Sequence, residues 1–210
     1  MLFCLEGTDH SGKSTQISLL HKALESAGIQ HAVARRPGST AIGEAIRELT
    51  KHSKTDMDLK TEQILMAAEH NAFISQFAIQ KLAMGDHVIS DRWNPISALA
   101  YGTQAGLTPE YLQDLYSITE PLKINVLIIL NAKWDIVRER MISSQRGSID
   151  NIESRGDKYL KAACETYSLM AETSGYLNYV SMFASKVISI DASRSIEDVH
   201  ADVLGHFRGA

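Results

Sequence analysis

Residues 2–16, with the sequence LFCLEGTDHSGKSTQ, decide the fold. The stretch opens on a short apolar run, Leu2 to Leu5, and closes on a run with the pattern of an amphipathic helix. Between them, Gly7 to Ser14 fits G-x-x-x-x-G-K-[ST] at every fixed position. The backbone N–H groups of such a loop face one anion, and the following helix adds its positive end. The alternative is a glycine-rich turn without chemistry, and the position between strand and helix favours a phosphate loop.

Each residue type in this loop has a chemical use. Lys13 can reach the outer phosphates of a bound nucleotide, and the Ser14 hydroxyl can bind Mg²⁺. We therefore assign phosphate binding to the loop and the start of its helix, residues Gly7, Thr8, Asp9, His10, Ser11, Gly12, Lys13, Ser14 and Thr15.

The composition is that of a globular protein, and 210 residues predict a single domain over 1–210. The net charge of −4 argues against a general nucleic-acid-binding protein but permits a local basic pocket. The two cysteines, Cys4 and Cys164, form no disulfide framework, which fits a reducing cytoplasm. No apolar run has membrane-spanning length, and the chain opens on its first strand, so we expect neither a membrane segment nor a signal peptide.

Five short apolar runs alternate with helical patterns along the chain. We predict strands at 2–5, 31–34, 87–90, 124–130 and 187–190, hence an α/β fold with a five-stranded parallel sheet flanked by helices in three layers. The pattern also predicts a long helix over 59–84 and a helix to about residue 49 that Ser39 caps, with Ile42, Ile46 and Leu49 inward. Ligands of such sheets bind beyond the carboxyl ends of the strands.

Charged residues follow two of these strand ends. Asp91 can hold Mg²⁺ directly or through water, and Arg92 can fork two hydrogen bonds onto a phosphate. A surface ion pair is the alternative. Arg35 and Arg36 are adjacent like charges that an anion would stabilise, although a solvated pair is also possible.

Four arginines surround the polar segment 145–151, namely Arg138, Arg140, Arg146 and Arg155. An arginine-bearing loop between two helices is typical of a closing lid, because phosphoryl transfer needs cations and the exclusion of water. We favour Arg146 as the lid arginine. Arg138 and Arg140 can equally be solvated helix residues.

Taken together, these residues resemble the thymidylate kinase family of nucleoside monophosphate kinases. Residues 6–16 resemble its E-G-x-D-x-x-G-K-[ST]-T-Q loop, and residues 35–40 its R-E-P-G-G-T turn. Asp91, Arg92 and Trp93 resemble D-R-[YH], with Ser97 and Tyr101 in the S…AY that follows. Residues 146–153 resemble the lid motif R-G…D-R-x-E.

The resemblance implies a P-loop kinase fold with a lid at about 145–153. It implies transfer of the γ-phosphate of ATP, with Mg²⁺, to a deoxynucleoside monophosphate, most of all dTMP. Lys13 and Arg146 would steady the transferring group, Arg92 would grip the acceptor phosphate, and Arg138 would bind ATP. Asp9 would lie near the sugar 3′-hydroxyl, and Tyr101 would screen the 2′ position. The other implied substrate contacts are Arg36, Arg47, Met66, His70 and Ser97. A cytoplasmic homodimer, packed through the 59–84 helix, is also implied.

Some residues depart from the family pattern near the base. Met66 replaces the stacking aromatic, His70 replaces the base-binding arginine, and Arg36 replaces the glutamate of the turn. We therefore hypothesise an altered base preference, with a different or modified pyrimidine as the alternative acceptor. An alternative of another class is a phosphate-loop switch or binding module that hydrolyses ATP or GTP slowly, although the sequence has no N-K-x-D guanine motif.

Overall fold

The predicted parallel sheet is present. In this computed structural model, which describes residues 1–52, 57–144 and 151–210, five parallel strands have the order β2-β3-β1-β4-β5. The strand that leads into the phosphate loop is therefore the middle one. The strands are β1 Leu2–Glu6, β2 His31–Arg35, β3 His87–Asp91, β4 Ile124–Asn131 and β5 Ala184–Asp191.

Helices connect the strands and cover both faces of the sheet. The α-helices are α1 Lys13–Ser26, α2 Ala41–Arg47, α3 Leu59–Phe73, α4 Ile79–Ala83, α5 Asn94–Gly102, α6 Pro109–Ser117, α7 Trp134–Ser143, α8 Asp157–Met170, α9 Ser174–Phe183 and α10 Ile196–Arg208. Within the described ranges, none of these helices has the length and apolar character needed to span a bilayer.

The middle strand divides the core into two layers because its side chains alternate between faces. Phe3 and Leu5 pack with Leu20 of α1 and Phe207 of α10 on one side. Leu2 and Cys4 belong to the larger cluster on the other side, which α3, α5, α8 and α9 complete. All five strands end at the same sheet edge, so the phosphate loop and the residues after β2, β3 and β4 meet there.

Two details differ from the sequence-based expectation. The 59–84 helix is continuous as predicted, but it contains a π-helical turn at Ile74–Ala78. Ser39 is not the N-cap of α2. Thr40 accepts the Gly43 N–H at 2.9 Å, whereas Ser39 has a left-handed backbone (φ 63°) and bonds Arg35.

The predicted inner face of α2 is correct only for Ile46. Ile42 and Leu49 are 46% and 44% exposed, so their assignment to the inner face was wrong. The α-helix ends at Arg47 and continues as a π-helical turn over Glu48–His52, which takes Leu49 off the 3.6-residue period on which its prediction rested. Ile42 lies in the first turn of α2, before this break, on the exposed side of the helix.

Candidate active site

The phosphate loop starts at a residue that must be glycine. Gly7 has φ +140°, and a Cβ there would lie 2.6 Å from the carbonyl oxygen of Leu130. The chain turns at this point because no side chain is present, and Gly12, with φ +102°, is the N-cap residue that precedes α1. The loop thus runs from the middle strand into a helix whose N-terminus faces the cleft described below.

Lys13 lies under the loop rather than in solvent. Its Nζ donates to the carbonyl oxygens of Gly7 at 2.9 Å and Thr8 at 2.7 Å, and the residue is 6% exposed. Burial lowers the pKa of Lys13 to about 8, and the neighbouring charge of Arg92 acts in the same direction. Ser14 and Thr15 follow in exposed positions at the start of α1.

A phosphate cleft of about 540 Å³ opens beside this loop. Residues 9–16 form one wall, and side chains from the other strand ends form the rest. Cationic residues dominate the lining, which suits a ligand with several phosphate charges. They are Lys13, Arg35, Arg36, Arg47, Lys51, Arg92, Arg140 and Arg194.

Arg92 is fixed at the centre of the site. Its Nη2 donates to Asp9 Oδ1 at 2.7 Å, and its Nη1 donates to the Gly7 carbonyl at 3.0 Å. Burial would raise the pKa of Asp9, but the charges of Arg92, Lys13 and Lys51 outweigh it and hold that pKa well below its usual range. Arg92 also has φ 83°, a backbone strain typical of functional positions.

Glu6 connects the phosphate loop to the elements around it. Its carboxylate is fully buried and accepts the Trp93 N–H at 2.5 Å, the Ser97 hydroxyl at 2.8 Å and the Tyr167 hydroxyl at 2.7 Å. These bonds join β1 to the start of α5 and to α8. Sequence reasoning did not single out Glu6 as a site residue, because a last strand residue carries no sign of its partners.

The residues at the end of β3 fit a divalent cation. Oδ1 of Asp91 is buried without a hydrogen-bond partner among the described residues, and Asp91 and Ser14 both line the phosphate cleft. The described ranges contain no group of three or more His, Cys, Asp and Glu side chains that could hold a metal. Mg²⁺ commonly takes only one or two protein ligands and completes its shell with phosphate oxygens and water.

A side pocket adjoins the phosphate cleft and shares Asp9, Lys51 and Arg92 with it. The predicted residues Met66, Ser97 and Tyr101 line it. Residues that sequence reasoning missed also line it, among them Gln63, Asn94 and Ile152. Tyr101 lies beside Arg92, with the guanidinium carbon 5.8 Å from the ring centroid.

The structure does not bring Arg36 and His70 to this pocket as ligand-facing groups. The Arg36 side chain is fully buried and donates to Glu69 Oε2 at 2.7 Å and to His70 Nδ1 at 2.8 Å. His70 packs edge-to-face on Trp93 and Tyr116 and is absent from the pocket lining. Burial and the charge of Arg36 lower the pKa of His70 well below its usual value, so the ring is neutral.

Arg138 is also displaced from the expected site. Its Nε donates to Asp157 Oδ2 at 2.8 Å on the protein surface, and it does not line the phosphate cleft. Arg140, two residues on, lines the cleft and donates to the carbonyl oxygens of Ser11 and Ala192 at 3.4 and 2.8 Å. The spacing of the two arginines on α7 does not reveal which one faces the loop.

The structure describes only the C-terminal end of the expected lid, from residue 151 onward. Arg146 and residues 145–150 lie outside the described residues. Beyond them, Asn151 Nδ2 donates to the Thr50 carbonyl at 3.1 Å, and Arg155 pairs with Glu62, which lines the side pocket. Arg47, another expected contact, lines the phosphate cleft and donates to the Pro37 carbonyl at 3.0 Å.

Comparisons with known proteins agree with this geometry. The family model described as thymidylate kinase matches residues 5–203. A thymidylate kinase of Nitrosospira multiformis is 30% identical over 200 residues, covering 95% of this chain and 92% of the relative. A thymidylate kinase of Symbiobacterium thermophilum is 32% identical over 200 residues, covering 94% and 88%. The matched range includes the phosphate loop and Arg92, and the chain belongs to the thymidylate kinase family of nucleoside monophosphate kinases.

Proposed function

We propose that this protein transfers the γ-phosphate of ATP to the 5′-phosphate of dTMP, giving dTDP for deoxynucleotide synthesis. The observation that carries the proposal is the junction of the cationic phosphate cleft with the side pocket, where Asp9 and Arg92 belong to both. A donor phosphate on the loop and an acceptor phosphate on Arg92 would then meet. The thymidylate kinase relatives support dTMP as the acceptor, and nothing in the comparisons favours the alternative acceptors or a switch.

The loop and Lys13 would hold the donor. The N–H groups of the loop and the N-terminus of α1 face the phosphates of ATP, and Lys13 adds a charge at their outer end. Arg140 is the arginine of α7 that lines this part of the cleft, so it replaces Arg138 in our assignment. Ser14 and Asp91 would hold Mg²⁺ when it is bound with ATP, and the metal would supply positive charge that neutralises the phosphates.

Arg92 would hold the acceptor phosphate. Because Asp9 and the Gly7 carbonyl fix the guanidinium, its remaining N–H groups are oriented before the substrate binds. We assign the sugar to Asp9 and Tyr101, and the base to the side pocket with Met66 as a cover. The chain supplies position and charge, so no covalent enzyme intermediate is required.

We further propose Arg146 as the lid arginine that steadies the transferring group. A cytoplasmic homodimer packed through the 59–84 helix completes the proposal. Exposed apolar residues on this helix, Ile64 at 53% and Ile79 at 43%, support such packing. Light scattering on the purified protein tests the dimer.

The test of function is ATP consumption with Mg²⁺ against a panel of monophosphate acceptors. We expect the highest kcat/KM with dTMP, followed by 5-substituted deoxyuridine monophosphates, and little turnover with dGMP or dAMP. Lys13→Ala serves as the inactive control. A clear preference for another pyrimidine would show that the pocket is retuned, and ATP hydrolysis that no acceptor stimulates would contradict the kinase assignment.

A further inference from the structure

Gln63 of α3 has an amide that nothing in the fold explains. The residue is 4% exposed and lines the side pocket. Its Oε1 is buried without a hydrogen-bond partner among the described residues. Burying a polar group without a partner destabilises a protein, and buried polar atoms are paired in the great majority of structures. A buried amide oxygen without a partner at the wall of a ligand pocket is therefore a candidate for ligand recognition.

Three of the other polar residues that line this pocket are already engaged by the protein. Asp9 Oδ2 and the Tyr101 hydroxyl are also buried without a hydrogen-bond partner among the described residues, and we assign these two residues to the sugar rather than to the base. The Asn94 amide nitrogen donates to the Met66 carbonyl and to Glu69, both at 2.7 Å. Ser97 donates to Glu6 at 2.8 Å, and Glu62 accepts from Arg155. These bonds fix the three side chains, so they cannot turn to meet a base without losing a buried partner.

The side chains expected to read the base are also engaged elsewhere. His70 accepts from Arg36, is neutral and packs on Trp93, and Arg36 is paired with Glu69. Met66 can cover a ring face but has no hydrogen-bond donor. His70 occupies the position of the family's base-binding arginine, but it does not take over the recognition of the base.

We propose that Gln63 recognises the base of the acceptor, by hydrogen-bonding the imide edge of a pyrimidine. Its Oε1 accepts the N3–H of thymine, and its amide nitrogen donates to the neighbouring carbonyl. A carboxamide presents this acceptor–donor pair in the same plane as the imide. The inference rests on the proposed function, since it takes the side pocket as the site of the acceptor base.

A comparison of Gln63→Leu with the wild type, using dTMP and N3-methyl-dTMP, tests this pair. The methyl group removes the N3–H, and the leucine removes the groups that would bind it. We expect Gln63→Leu to lower kcat/KM for dTMP about tenfold to 100-fold, through KM, and to change N3-methyl-dTMP little. The ratio of kcat/KM for dTMP to kcat/KM for N3-methyl-dTMP should be lower in Gln63→Leu than in the wild type, by about tenfold or more. Gln76→Leu, the same substitution at an exposed position of the π-helical turn that follows α3, should leave both values unchanged.

Binding without catalysis gives the second readout. We expect dTMP alone to raise the melting temperature of the wild type more than N3-methyl-dTMP does, and Gln63→Leu to abolish that difference. Gln63→Met supplies the same comparison if the leucine variant is unstable. An unchanged preference in a folded variant would overturn the role of Gln63, and a wild-type preference for dCMP would overturn the imide assignment. If the wild type fails to phosphorylate dTMP, the proposed function fails, while the melting comparison still tests Gln63.

Discussion

Arg36 Nη2 lies 2.7 Å from Oε2 of Glu69, and both side chains are completely buried. The Arg36 guanidinium also lies 4.2 Å from the ring centroid of Phe73 and 5.0 Å from that of Trp93. Glu69 accepts further bonds from Asn94 and from the Gly38 N–H. Arg36 is therefore a buried cation that fixes the turn after β2 against α3 at the wall of the phosphate cleft.

Breaking this pair should destabilise the protein without changing its chemistry. We expect Glu69→Gln to lower the free energy of unfolding by about 3–5 kcal/mol, because it leaves the Arg36 charge buried without a counter-charge. Arg36→Met combined with Glu69→Gln should recover part of that loss. Urea denaturation measures both variants. A loss below about 1 kcal/mol would show that the pair is solvated rather than buried.

Arg92 should not tolerate the conservative change to lysine. A lysine keeps the charge but has one nitrogen in place of the two, Nη2 and Nη1, that bond Asp9 and the Gly7 carbonyl, and it lacks the planar fork that fits a phosphate. We expect Arg92→Lys to lower kcat/KM for the acceptor about 100-fold or more, with a smaller effect on ATP binding. Arg208→Lys, at the exposed end of α10, is the control and should be neutral. Activity within threefold of wild type, on the order of experimental scatter, would remove Arg92 from the acceptor site.

The two arginines of α7 should differ in their effect on ATP. Arg140 lines the phosphate cleft, whereas Arg138 is paired with Asp157 on the surface. We expect Arg140→Ala to raise the KM for ATP about tenfold, and Arg138→Ala to change it less than about twofold. Steady-state kinetics at saturating dTMP measures both. The reverse order would restore Arg138 to the nucleotide site.

The lowered pKa of Lys13 predicts that ATP binding weakens in alkaline solution. Its pKa in the folded protein is about 8, lowered from 10.5, so the protonated form that binds phosphate declines above about pH 8. We expect kcat/KM for ATP, which reports the free enzyme, to fall through this range, by up to about tenfold per pH unit. A flat profile to about pH 9.5 would mean that Lys13 keeps its charge.

Lys13 affects stability in the opposite direction: as the pH rises, kcat/KM for ATP falls but the free energy of unfolding increases. Between about pH 8 and 10.5 the unfolded chain keeps a proton that the folded protein has lost. The charged, buried form costs stability below about pH 8, and this cost is relieved as the pH rises toward 10.5. Lys13→Met, which has no charge to desolvate, should therefore gain stability at neutral pH relative to wild type and less at high pH. Urea denaturation at both pH values measures this.

Gly7 should be intolerant of alanine. A Cβ would approach the Leu130 carbonyl to 2.6 Å, and φ +140° is rarely adopted by other residues. We expect Gly7→Ala to destabilise the fold by about 2 kcal/mol or more and to abolish activity. Gly205→Ala is the matched control, because its Cβ would meet nothing within 4 Å in α10. That change should stabilise the protein by about 0.5–1 kcal/mol. Thermal unfolding of the two variants gives the comparison.

The sequence predicted the sheet and the phosphate loop because both depend on local patterns. Buried parallel strands appear as continuous apolar runs, and the loop motif leaves little freedom between strand and helix. The burial of the Arg36 side chain against Glu69 could not be predicted in this way. Arg35 and Arg36 have the same charge, and only the tertiary structure sends Arg35 to the surface and Arg36 to Glu69.

The same limit applies to the residues that line the two pockets. Arg138 and Arg140 differ by two positions on α7, and a shift of helix phase decides which one reaches the loop. Gln63 carries no motif, and its significance depends on burial and on the absence of a partner for Oε1 among the described residues. Thr40 rather than Ser39 caps α2. The sequence could not distinguish them, because Ser and Thr are both good N-cap residues and the two are adjacent.

The buried carboxylate of Glu6 determines how a destabilising mutation elsewhere in the chain affects the activity of this enzyme. Its bonds to Trp93, Ser97 and Tyr167 tie the phosphate loop, the start of α5 and α8 to one anion with no access to water. We therefore expect these elements to open together, and the Trp93 amide to exchange its hydrogen only when the whole domain unfolds. A destabilising mutation elsewhere then reduces the number of working molecules, while each molecule that stays folded keeps its affinity for both nucleotides.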